Sequence, residues 1–146
     1  MYRVIYTSQL SQTFGRGALS AITAVARRNN ARLDVSGLLV CHDRRFFQVL
    51  EGAEMVLSGL MTRIAADPRH VNLGMIGHGP TSGRAFKTWR VYCASDNPMA
   101  VGDPQISALE RLIPTNSDLR GNDPEVRQHV REFLASLRDL PSATAA

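Results

Sequence analysis

The chain has 146 residues, 44% apolar and 21% charged, with two cysteines. That is the make-up of one ordinary globular domain, and it excludes a disulfide-rich scaffold and a four-cysteine zinc site. The net charge of +4 is uneven: residues 1–98 hold 12 basic and 6 acidic side chains, residues 99–146 hold 5 and 7. Sixteen of the basic residues are arginine, with no visible basic patch, so a nucleic-acid partner is not expected.

No apolar run reaches the ~18 residues of a membrane span. The opening Met1-Tyr2-Arg3-Val4-Ile5-Tyr6 lacks the features of a secretory leader. A cytoplasmic, reduced, soluble protein without a membrane partner is expected.

Tyr2 to Ser8 is aromatic and β-branched and predicts a strand, with Tyr2, Val4 and Tyr6 on one face. Gln9 to Gly17 reads as a loop. Leu19, Ile22, Val25 and Ala26 recur at helical spacing, and Asn29-Asn30 reads as the helix end. Val35 to Cys41 predicts a buried strand, with a turn at His42 to Arg45 and a returning strand over Phe46 to Leu50. Leu57, Leu60, Met61 and Ile64 mark a second helix that stops near Asp67-Pro68. A strand is predicted from Val71 to Ile76, a loop around Gly77, Gly79, Pro80 and Gly83, and a fifth strand from Thr88 to Ala94.

This β-α-β-β-α-β-β order predicts an α+β, ferredoxin-like sandwich with one added strand. Two helices cover one sheet face, and the other face needs a cover. Asp103-Pro104 and Asp123-Pro124 each read as a helix start. The stripes Ile106, Leu109, Leu112, Ile113 and Val126, Val130, Phe133, Leu134, Leu137 then predict two C-terminal helices over that face, followed by a frayed tail.

Gln48 stands out because an amide interrupts the apolar run Phe46-Phe47-Gln48-Val49-Leu50. Either it lies on a partly exposed edge, or it is buried and its hydrogen-bonding positions are filled at a cost of about 1–3 kcal/mol if left unpaired. Tyr6 and Trp89 read as core aromatics, Arg63 as a solvated charge, and Cys41 and Cys93 as small buried hydrophobes. The four histidines show no metal spacing, Gly77 to Arg84 lacks a phosphate-loop ending, and no nucleophile–base pair is visible.

Taken in order, Val4-Ile5-Tyr6-Thr7-Ser8, Arg27 to Leu33, Val35 to Leu39, Phe46 to Gly52, Arg63-Ile64, Asp67-Pro68-Arg69-His70 and Phe86-Lys87-Thr88-Trp89 resemble the motifs of BLUF domains, blue-light sensors that use FAD. The resemblance covers residues 1–95 and assigns residues 96–146 to the helical extension of the short, stand-alone members, which are not enzymes. It implies FAD held non-covalently between the two helices. Asn29 and Asn30 would then bond the flavin edge, Arg63 its carbonyl or phosphate side, and Ile64 would pack on the ring.

The resemblance also implies that Tyr6 and Gln48 are the photoactive pair, with Trp89 beside them. In that family the excited flavin takes an electron and a proton from the tyrosine, and the glutamine relays the proton and rearranges. The signal would pass to an unknown downstream protein or a homo-oligomer. Arg90-Val91 stands where the family commonly has serine and methionine, which alters the expected output route. Other readings of the same pattern are a BLUF-like interaction module with impaired output or no flavin, an acylphosphatase-type enzyme and an RNA-binding module.

Overall fold

A computed structural model describes residues 1–14, 16–42 and 44–93, together with helical residues 126, 128, 129, 132 and 133. Seven elements follow in order: β1 (Tyr2–Leu10), α1 (Arg16–Arg32), β2 (Ser36–His42), β3 (Arg45–Gly52), α2 (Glu54–Ala66), β4 (His70–Pro80) and β5 (Trp89–Cys93). The expected ferredoxin-like topology is present. One five-stranded sheet runs β4-β1-β3-β2-β5, all neighbours antiparallel except β2 and β5.

The central position of β3 explains its apolar run, since both of its faces are covered. Toward the helices, Val4, Tyr6, Leu39, Phe46, Leu50 and Trp89 form the core with Leu57 of α2, and Ile22 and Ala26 of α1 pack against them. On the opposite face Phe47 stacks on Phe133, ring centroids 5.3 Å apart, and Val126 is buried. Phe133, of the second predicted tail helix, thus packs on that face. The first tail helix and the boundary at residue 95 lie outside the described residues.

Gly37 is required by geometry. Its φ is +150°, and a Cβ there would lie 1.8 Å from the Val49 carbonyl oxygen, so only glycine lets β2 pass β3 this closely.

Three expectations are corrected. α1 does not end at Asn29-Asn30 but runs on to Arg32, and the left-handed residue is Asp34 at φ 57°. The asparagines therefore sit in the last helical turns rather than at the cap, Asn30 buried and Asn29 half-buried. β4 is not a short strand followed by a glycine loop; it extends through Gly77, Gly79 and Pro80. It can do so because it is an edge strand paired only with β1, where Pro80 at its end breaks no ladder and register shifts absorb the irregularity. Finally, Cys41 is not a free buried thiol but disulfide-bonded, and its Cα partner in the parallel β2–β5 register is Cys93, the other cysteine.

Candidate functional site

A cleft opens between α1 and α2 above the sheet, lined by side chains of both helices and of the strands beneath them. Its floor comes from four strands, β1, β3, β2 and β5. Tyr6 of β1 and Gln48 of β3 are direct Cα partners, and Gln48 is also opposite Leu39 of β2, which pairs Val91 of β5. Alternation sends all of these side chains to the helix side.

Gln48 is 7% exposed and lies mid-sheet, so the edge reading is excluded. Its Nε2 donates to the Tyr6 hydroxyl, and its Oε1 accepts from Trp89 Nε1 at 3.0 Å. A single amide thus links the two aromatic polar tips at the cleft floor. Burial pushes the Tyr6 phenol well above the ordinary tyrosine range, and the Gln48 hydrogen bond opposes this only in part. Tyr6 is therefore a neutral phenol across physiological pH.

The walls carry the other expected residues. Asn30 is 2% exposed, and Asn29 is half-buried, with its Oδ1 accepting from Arg32 at 3.4 Å. Arg63 and Ile64 line the cleft from α2. Arg63 is exposed and has neither ion pair nor hydrogen bond among the described residues.

Sequence reasoning assigned no role to Asp67, Arg69 or His70, which also line the cleft. The Arg69 guanidinium grips the Asp67 carboxylate at 2.7 Å and holds its pKa below the usual carboxylate value. His70 contacts Ser8 Oγ at 3.2 Å and its ring lies 5.3 Å from that of Phe46. Burial lowers its affinity for a proton, so it is neutral at pH 7. Their shared motif, Asp67 to His70, was the available signal, but spacing alone does not show that the turn after α2 folds back over the cleft.

These residues suit a planar, polar-edged aromatic ligand. The apolar side of α1 is under-covered, since Val25 remains 42% exposed on the cleft wall. Buried amides at Asn30 and Gln48 supply donors and acceptors, and Arg63 supplies a free cation. By contrast, an RNA-binding sheet needs exposed aromatics on its central strands, and Phe46 and Phe47 are both buried. Among the described residues no cluster could hold a metal ion.

Fold and site together define a flavin-type light-sensing domain. The family model described as "BLUF: Sensors of blue-light using FAD" matches residues 1–92, and the chain belongs to this family. It is 31% identical over 115 residues to the photoactivated adenylate cyclase subunit beta of Euglena longa, covering 78% of this chain but 13% of that protein. The matched part of the chain thus spans 7% to 13% of the length of the curated relatives. Among solved structures, BlrB, a BLUF protein in its dark state, superposes with a TM-score of 0.64 at 26% identity, covering 92% of this chain and 96% of that one. Klebsiella pneumoniae BlrP1, solved with FMN and cyclic diGMP, superposes with a TM-score of 0.71 at 26% identity over 92% of this chain and 34% of that one.

Proposed function

We propose that this chain is a blue-light photoreceptor that binds FAD in the α1–α2 cleft and signals by contact with another protein. The observation that carries this reading is the unbroken chain Tyr6–Gln48–Trp89 at the cleft floor. Asn29 and Asn30 would bond the flavin's polar edge, Ile64 would pack on the ring, and Arg63 would meet a carbonyl or phosphate.

When bound, the flavin supplies blue absorption and, once excited, an electron acceptor. Tyr6 serves as the donor. Its phenol is neutral, and a neutral phenol that gives up an electron becomes strongly acidic, so the proton would leave with the electron and be relayed by the Gln48 amide toward the reduced flavin.

Gln48 has two arrangements of its amide. In the one observed, its N–H₂ faces Tyr6 and its carbonyl faces Trp89. Turned over, its carbonyl accepts from the Tyr6 hydroxyl, and its N–H₂ faces the indole N–H, which can only donate. Trp89 then loses its partner and is free to shift at the start of β5. Val91, half-buried on the same side of β5, packs against the core where the family commonly has methionine. Through β5 and the tail helices the switch would reach a protein partner or a second copy of the chain. The bias is on the order of 1–3 kcal/mol, the worth of the hydrogen bonds exchanged.

The purified protein should be yellow, release FAD rather than FMN on denaturation, and show a red-shifted spectrum after blue light. Tyr6→Phe should abolish the shift while flavin stays bound. A colourless protein that also refuses added FAD and FMN overturns the reading.

A further inference from the structure

Glu51 is entirely buried at the end of β3, three residues beyond Gln48. Its Oε2 accepts from Arg3 Nε at 3.1 Å and Nη2 at 2.7 Å, and from the Ala85 amide at 2.8 Å. Its Oε1 accepts from the Phe86 amide at 3.0 Å and from Ser36 Oγ at 3.3 Å. Ser36 Oγ in turn accepts from Arg84 Nη1 at 2.7 Å, and Arg84 Nη2 pairs with Asp34 at 3.0 Å. One carboxylate therefore ties two consecutive backbone amides of the 81–88 segment to the sheet.

That segment ends at Trp89. β5 is five residues long, is an edge strand, and pairs only with β2. Lys87 and Thr88, between the tether and Trp89, are exposed. The start of β5 is thus held by its ladder to β2, by the Glu51 tether just before it, and by the Trp89–Gln48 bond. The same strand, β3, supplies both Gln48 and Glu51.

We propose that Glu51 is a positioning residue for Trp89, setting how firmly the indole is held against Gln48 and hence how far Trp89 moves when that amide turns over. The proposal rests on the photoreceptor reading for its consequence, but not for its geometry. A glutamine at position 51 has one acceptor oxygen and a donor group, so it must set N–H₂ against either Arg3 or the Ala85 and Phe86 amides. One side of the tether, either its Arg3 anchor or its two backbone amides, is then lost together with the negative charge and without a change of volume.

Trp89 is the only tryptophan, so 5-fluorotryptophan labelling gives one site whose ¹⁹F resonances report the seated and displaced indole. In the dark the natural protein should show one dominant resonance, shielded from solvent. Glu51→Gln should raise the displaced-to-seated ratio about tenfold, the factor that one lost charge-assisted hydrogen bond confers. Arg84→Ala, which removes only the outer bonds of the tether, should raise it less, and decides the matter if Glu51→Gln does not fold. Ile5→Ala, on the opposite sheet face, should lower stability without moving the resonance.

A seated resonance like that of the natural protein in every folded variant of the pair refutes the tether. The ratio measured on flavin-free protein reads the tether alone, whereas absence of a light-induced spectral shift in the flavin-loaded natural protein refutes the photoreceptor reading.

Discussion

Replacing Gln48 by leucine removes one amide and leaves a buried acceptor, the Tyr6 hydroxyl, and a buried donor, Trp89 Nε1, without their partner. The volume is nearly kept, so overpacking is minor. Tyr6 is 1% exposed and mid-strand, whereas Trp89, beside it at the cleft floor, is 8% exposed and can turn outward. The cost therefore falls mainly on Tyr6, about 1–3 kcal/mol for one orphaned buried group. At about 3 °C per kcal/mol for a chain near 150 residues, Tm should drop by about 3–9 °C.

Flavin should remain bound, because Asn29, Asn30 and Arg63 are untouched, but the light-induced red shift should vanish. Thermal melts in the dark measure the first effect and light-minus-dark absorption the second. A normal red shift in Gln48→Leu refutes the amide switch. An unchanged Tm refutes the view that this amide satisfies buried groups.

Three further outcomes are expected. Gly37→Ala drives a Cβ to 1.8 Å from the Val49 carbonyl at a φ of +150° and should cost at least about 3 kcal/mol, seen as a failure to fold or a steep fall in Tm. His70 resists protonation chiefly through burial, so between its folded value and 6.5 the unfolded chain binds a proton that the folded chain refuses. Its contribution should be complete above pH 6.5 and decline as pH falls below it, no more steeply than about 1.4 kcal/mol per unit; His70→Asn should flatten denaturant-derived stability between pH 7 and 5, and an unaltered profile refutes the assignment. Cys41 is disulfide-bonded, so Cys41→Ser should lose about 2–4 kcal/mol in non-reducing buffer and nothing relative to the natural protein in dithiothreitol, with flavin retained in both. Titratable thiol in the folded, unreduced protein would contradict this.

The local periodicities of the sequence determine the element order, the helix faces and the oddity of Gln48, because alternation and helical spacing are properties of neighbouring residues. Motif order also carries the likeness that groups Tyr6, Asn29, Asn30, Gln48, Arg63, Ile64 and Trp89. Only the tertiary structure decided that Gln48 lies on a central strand with its two amide ends shared between Tyr6 and Trp89, since these residues are separated by 42 and 41 positions. The same holds for Cys41, whose register partner across β2–β5 is set by a parallel pairing that no local pattern encodes. It holds too for α1, where the asparagine pair reads as a helix end until the structure places both residues on the cleft wall. Glu51 shows the limit most clearly. A carboxylate at the end of an apolar strand carries no local sign of its surroundings, and its complete burial follows from the distant Arg3, Ala85 and Phe86, which meet it only because β1 and the 81–88 segment fold onto the end of β3.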